Sequence, residues 1–516
     1  MLRQVLIDGN SLSLDDVVGV ARGGAEVRLA SSAVKRMNAS RRWVERAVQD
    51  REVVYGVTTG FGALQNVTIS PSKLRDLQRN LILSHCAGVG EPFAEDVVRA
   101  MMVLRANALA KGFSGIRVST VETLLAMLNK RVHPVVPSQG SVGASGDLAP
   151  LSHMAAVMIG EGEAIYKGQR MTGAAALNAA RIHRVALEAK EGIALNNGTQ
   201  AMTALGVLAL HDAERLADAA DVAAAMSCEA VKGKGTPFRA EVHATRPHPG
   251  QVLSARNIRT MMQGSTLTDS VDDDTLEKVQ DSYAIRCAAQ VHGASRDALA
   301  YVRRVLETEI NAATDNPLIF PEKNTAASAG NFHGQPIALA MDFLALAVAE
   351  LGSISERRIA KLMDRHHNIG LPAFLSPAPG LHSGLMILQY TAAALVSENK
   401  VLIHPASGDS IPTSANQEDH VSMGTIAARQ AVHVIQNVRR VLAIELICAA
   451  QALDFRSSAP GRGTRRAHTI VRQHVAPLDG DRNLSHDVER MAELVHAGTF
   501  STLLPRSNPS SRRHHR

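Results

Sequence analysis

Aromatic side chains are scarce in this sequence, with ten Phe, five Tyr and one Trp among 516 residues. So few rings offer no stacking surface for bases. The formal charge of +6 is spread along the chain and partly gathered in the tail at Arg512, Arg513 and Arg516, so nucleic acid is not an expected partner. Cysteine is rare too. Cys86, Cys228, Cys287 and Cys448 lie far apart and form no CxxC pair, which argues against a disulfide framework or a metal site and fits free thiols in a reducing compartment. The start MLRQVLIDGNSLSLDD lacks the basic and apolar regions of a signal peptide, and no uninterrupted apolar run reaches the ~18 residues that span a bilayer. A cytoplasmic protein without a membrane partner is the expectation.

What is present is an Ala/Leu/Val-rich chain, 45% hydrophobic and 20% charged, with material for a large core. The first 55 residues mix the short β-branched runs Val5 to Ile7 and Val27 to Leu29 with a helical pattern from Ser32 to Asp50. Residues 66–130 read as helical, broken by AGVGEP at 87–92. Residues 131–153 carry Pro134, Pro137 and Pro150 along with Gly140, Gly143 and Gly146, so no regular helix is expected there. A long irregular loop inside an ordered chain is more often functional than accidental. Further helices are expected from Thr199 to about Val231 and over 276–313, 336–363 and 421–455, with a polar stretch at 232–275. In the 336–363 helix, Ile337, Met341, Leu344, Val348 and Leu351 recur at steps of four and three, a bundle-type seam. The fold expected is mainly α, a long-helix bundle with a smaller mixed N-terminal part. The division expected is 1–200 for an N-terminal domain with the irregular loop, 201–504 for the helical bundle and 505–516 for a frayed tail.

Within the loop, Gly143-Ala144-Ser145-Gly146-Asp147 contains a tripeptide that can cyclise, because glycine after serine lets the chain bend until the third amide nitrogen approaches the first carbonyl carbon. Taken alone, Ala-Ser-Gly is also an ordinary turn. The longer string GSVGASGDLAPLSH closely resembles the signature of the histidine/phenylalanine/tyrosine ammonia-lyase family, and the resemblance extends over nearly the whole chain. It implies that Ala144, Ser145 and Gly146 lose two waters to form 4-methylidene-imidazol-5-one, with no external cofactor. Such chemistry needs an electron sink, since side chains supply bases and nucleophiles but no strong electrophile.

Other blocks carry the same resemblance. YGVTTGFG implies that Tyr55 is the base for the β-proton, a role for which a phenol with a pKa near ~10 must be tuned downward. ALNNGTQAM implies that an asparagine contacts the electrophile, and Asn197 is chosen because it directly precedes Gly-Thr. KVQDSYAIRCAAQVHGA, read as one helix, puts Gln280, Tyr283 and Arg286 roughly on one face, with Arg286 as the fork for the substrate carboxylate and Tyr283 as a catalytic residue. SAGNFHGQP places Phe332 near the electrophile, with Asn331 and His333 beside it.

Two positions bear on the substrate. Ser84-His85 is the pairing of the family's histidine branch, where the phenylalanine and tyrosine branches carry Phe-Leu and His-Leu. Glu418 in PTSANQEDHVSMG stands where those branches usually have a non-acidic residue, and a carboxylate there accepts an imidazole N–H but is left unpaired by a phenyl ring. The resemblance thus implies elimination of ammonia from L-histidine by a homotetramer whose sites draw on more than one subunit. The alternatives are a phenylalanine or tyrosine ammonia-lyase, or a 2,3-aminomutase of the same family.

Overall fold

The computed structural model describes residues 4–269 and 279–505. It forms two compact units, each assembled from separate stretches of sequence. One comprises 1–209, 302–342 and 405–429, and the other comprises 210–301, 343–404 and the chain from 430. The single boundary expected near residue 200 is therefore replaced by a division that returns two later segments to the first unit. A periodic pattern reports which face of a helix is buried and carries no information about which segments it is buried against.

The first unit holds the expected mixed part. Strands Gln4–Ile7 and Glu26–Leu29 pair in parallel. Between them, helix Leu14–Ala21 starts on a capping box in which Ser13 and Asp16 satisfy each other's backbone amides. The 131–153 stretch is less irregular than expected. Val132–Pro134 joins a three-stranded antiparallel sheet with Glu163–Tyr166 and Gln169–Thr172, and Pro137–Gln139 pairs with Val89–Pro92. Helix Ala149–Met158 begins within the stretch because Pro150 falls in its first turn, where the missing N–H costs no helical bond. What stays irregular is the segment 140–148, held between a strand and a buried helix. Helix Glu95–Ala110 lies in the core of this unit and is buried without a break from Val98 to Ala110.

In the second unit, two buried carboxylates are matched to donors. Asp221 accepts from His292 Nδ1 at 2.8 Å, Arg296 at 2.7 Å and Asn257 at 2.9 Å, while Glu445 accepts from Arg358, Ser227 and Ser355. The expected 276–313 helix begins later than its pattern suggested. Residues 276–278 lie outside the described residues, Tyr283–Arg286 is a separate short turn, and the long helix runs over Ala288–Glu309. Gln280 precedes the helical turn, so Gln280, Tyr283 and Arg286 do not share one helical face. The polar stretch at 232–275 contains helix Pro249–Met261. Helix Met386–Leu402 was not legible because its pattern is inverted: only Leu388, Ala392 and Asn399 are buried, while Ile387, Tyr390 and Val401 are exposed. All but Pro505 of the expected tail lies outside the described residues.

Helix Gln335–Met363 is long and apolar enough to cross a membrane by composition, with a mean hydropathy of 1.9, but 67% of that window is buried inside the protein. Its seam residues Ile337, Met341, Leu344, Val348 and Leu351 are all fully buried. Truncating Leu344 to Ala should therefore cost about 2–5 kcal/mol through lost burial and an unfilled cavity. A fall in the urea midpoint checks this, and an unchanged midpoint would show that the seam does not carry the core.

Candidate active site

The segment 143–147 is fixed by close approach. Gly143 and Gly146 have φ of +69° and +73°, a region that L side chains rarely adopt. A Cβ on Gly143 would sit 2.1 Å from Ser422 Oγ, and one on Gly146 would sit 2.1 Å from the Gly198 carbonyl oxygen. Ser422 donates to the Gly143 carbonyl at 3.2 Å. Gly146 and Gly198 form a parallel bridge, and the Asp147 N–H donates to Gly198 O at 2.7 Å. Ala144 is buried against Val421 and Met423, and Ser145 is half-buried.

Asp147 anchors the segment. Its fully buried carboxylate accepts from Ala201 N at 2.6 Å, Met202 N at 3.3 Å and Thr425 Oγ1 at 2.7 Å. Burial pushes this carboxyl up to about 7 even against those donors.

Ser145 Oγ donates to Glu418 Oε1 at 3.2 Å. The other Glu418 oxygen accepts from Thr413 Oγ1 at 2.8 Å, and the two backbones exchange hydrogen bonds of 2.9 and 3.2 Å. Between Thr413 and Glu418 the chain turns through Ser414, Ala415 and Asn416 with φ of 50°, 52° and 66°, an uncommon left-handed run that its surroundings must hold. Two bonds hold it, Ala63 N to Ser414 Oγ and Gln65 Nε2 to Gln417 Oε1, both at 3.2 Å. They tie the turn to the loop that follows Tyr55.

The Tyr55 hydroxyl accepts from Gly62 N at 3.2 Å. Burial raises the Tyr55 phenol above its ordinary value and the Glu418 charge adds to that, so the chain alone does not supply the downward tuning that a tyrosine base needs. His85 ends helix Leu74–His85 and shares a 3.1 Å hydrogen bond with Ser84 Oγ. Burial lowers its pKa while Glu418 opposes the shift, which leaves a neutral imidazole at pH 7. Ser145 thus bonds a carboxylate whose charge also acts on Tyr55 and His85.

Asn196 and Asn197 differ in their commitments. Asn196 donates its amide to Ser152 Oγ at 3.1 Å, whereas Asn197 closes helix Glu191–Asn196 one residue before Gly198. Both carbonyl oxygens, Asn196 Oδ1 and Asn197 Oδ1, are buried with no hydrogen-bond partner among the described residues. Phe332 is half-buried in the turn before helix Gln335–Met363. The next glycine of that turn, Gly334, is packed so tightly that a Cβ would fall 2.8 Å from Ser422 Oγ, the hydroxyl that also holds Gly143.

Gln280, Tyr283 and Arg286 belong to the second unit. There Tyr283 is 70% exposed, with the Arg286 guanidinium 4.6 Å above its ring, and Gln280 is exposed. Sequence reasoning missed Asp147, Thr413 and Ser422. Asp147 follows the tripeptide directly and was available to find, whereas the other two are ordinary hydroxyls until the fold brings them close.

A helical chain that presses a cyclisable tripeptide against an Asn-Gly step, with a glutamate, a histidine and a tyrosine around it, has the marks of an aromatic amino acid lyase. The family model of that description matches residues 12–473, and the chain belongs to the aromatic amino acid lyase family. It is 57% identical over 493 residues to the histidine ammonia-lyase of Symbiobacterium thermophilum, covering 95% of this chain and 96% of the relative. Among solved structures, histidine ammonia-lyase from Trypanosoma cruzi matches with a TM-score of 0.90 at 43% identity, over 97% of this chain and 96% of that one. Tyrosine aminomutase from Streptomyces globisporus matches with a TM-score of 0.92 at 40% identity, over 97% and 98%.

The raised Asp147 has a consequence for stability. Its pKa is 3.8 when unfolded and about 7 when folded, so folding is favoured most below pH 3.8 and that contribution is lost as pH rises through 7. Urea midpoints at pH 5 and pH 8 should fall less for Asp147→Asn than for the unmodified chain. Equal slopes would remove Asp147 from the account of pH dependence.

Proposed function

We propose that this chain is a cytoplasmic histidine ammonia-lyase that eliminates ammonia from L-histidine to give trans-urocanate, acting as a homotetramer with 4-methylidene-imidazol-5-one formed from Ala144, Ser145 and Gly146. The observation that carries the reading is the Glu418 carboxylate, which bonds Ser145 and acts on both Tyr55 and His85. A histidine ring can donate an N–H to that carboxylate, whereas a phenyl ring would leave it desolvated and unpaired. The residues around the tripeptide fit the group: Gly146 has no Cβ to obstruct Gly198, and Asn197, one residue from that contact, holds a buried oxygen with no partner among the described residues. When formed, the group supplies the electron-accepting carbon that no side chain provides.

The chain's own residues supply the rest. Arg286 forks onto the substrate carboxylate, and Gln280 and Tyr283 stand with it. The exposure of all but Arg286 in a single chain supports their serving the site of a second copy. Neutral His85 and Glu418 orient the imidazole, Phe332 packs beside the tripeptide, and Asn197 contacts the amino acid. Tyr55 removes the β-proton, and the cationic Arg286 and substrate ammonium provide the positive charge that lowers its phenol. A 2,3-aminomutase that returns ammonia to the β-carbon is the second reading, supported by the similarity to tyrosine aminomutase.

Incubating the purified protein separately with histidine, phenylalanine and tyrosine tests the assignment. Urocanate from histidine is expected, while β-histidine, or preference for either other amino acid, overturns it. Tyr55→Phe should lower kcat by about 10²–10⁴-fold with little change in KM, since the phenol acts on the β-proton. Glu418→Gln should lower kcat/KM for histidine on the order of 10²-fold, the loss of one charged hydrogen bond. Steady-state kinetics on histidine read both, and near-normal values would remove those roles.

A further inference from the structure

Arg105 lies on helix Glu95–Ala110 with no exposed surface. Among the described residues, its hydrogen bonds go to neutral acceptors. Its Nε bonds the Ala194 carbonyl at 2.9 Å and Nη2 bonds the same oxygen, while Nη1 reaches Gln200 Oε1 and the Thr314 carbonyl, each at 2.9 Å. Gln200 is itself fastened to Thr314 Oγ1 at 2.6 Å. A buried cation without a directly bonded carboxylate is costly, and a core that needed only filling would use an apolar side chain.

What the guanidinium holds is the chain on both sides of Asn197-Gly198, because Ala194 lies before that step and Gln200 after it. Gly198 is confined from both directions. A Cβ there would lie 2.3 Å from Arg105 Nη1 and 2.7 Å from Thr314 O, and its carbonyl oxygen is the atom that a Cβ on Gly146 would strike. The same oxygen accepts the Asp147 N–H. Arg105, Gly198 and Gly146 therefore form a stack with no slack, in which the planar fork sets how far Gly198 presses toward Gly146.

We propose that Arg105 is a positioning residue for ring closure, acting through Gly198 to hold Gly146 toward Ala144. This rests on the reading that the tripeptide cyclises. Closure joins Gly146 N to the Ala144 carbonyl carbon, and that carbonyl oxygen leaves as water with the N–H hydrogens of Ser145 and Gly146. Ser145 Oγ leaves as a second water with its own hydrogen and the Ser145 Cα hydrogen, so no oxidant or reductant is needed. A lysine at 105 would keep the charge but cannot fork across Ala194, Gln200 and Thr314.

The test is the intact mass of full-length unmodified protein and Arg105→Lys, each checked for folding by circular dichroism and for assembly by gel filtration. The unmodified chain should show a deficit of two waters, and most folded Arg105→Lys chains should lose it. Folded Arg105→Lys with the complete deficit overturns the role of Arg105, whereas an unmodified, active chain without the deficit overturns the cyclisation reading instead. If Arg105→Lys is insoluble, Gln200→Leu decides by the same measurement, since it removes one arm of the clamp and leaves the arginine in place: partial loss of the deficit supports the role, and complete dehydration overturns it.

Discussion

The contact between Gly146 and Gly198 is the constraint on which the rest of the site depends. Two backbone segments from distant parts of the sequence meet so closely that neither tolerates a side chain, and a strand-like bridge plus the Asp147 N–H fix their register. Each neighbouring feature serves that meeting. Asp147 turns inward to collect two amides and a hydroxyl from the elements behind it, Ser422 holds the carbonyl of Gly143, and Arg105 closes the far side of Gly198.

Around this fixed backbone the polar groups are divided by environment. Glu418 has one oxygen committed to Thr413, which aims the other at Ser145. Burial lowers the His85 pKa, and the Glu418 charge opposes that shift. The Tyr55 phenol is raised by burial, and the Glu418 charge adds to that. Tyr283 is open to solvent with the Arg286 guanidinium over its ring, while Arg286 itself is half-buried.

Much of this was legible in the sequence where local chemistry dictates the outcome. The heptad-like steps of Ile337, Met341, Leu344, Val348 and Leu351 identified a core helix, and glycines at 143 and 146 identified a backbone that must bend. The reading faltered where distant partners decide. Thr413 and Ser422 are unremarked hydroxyls until Glu418 and Gly143 arrive beside them. The apolar exposed face of Met386–Leu402 hid that helix, because its pattern does not report burial within a single chain. Pro150 argues against a helix by composition, yet its place in the first turn of Ala149–Met158 permits one. Gln280 was drawn onto a helical face by its spacing, and the short turn at Tyr283–Arg286 does not extend back to it.

Everything proposed for the site depends on the backbone at 144–146 closing on itself to make an electron acceptor. A crystal structure of the active protein at a resolution that separates single atoms tests it most directly. Continuous density joining Gly146 N to the Ala144 carbonyl carbon, with a planar ring and no Ser145 hydroxyl, is the predicted result. An open tripeptide with Ser145 Oγ still bonded to Glu418 in protein that turns over histidine would contradict it.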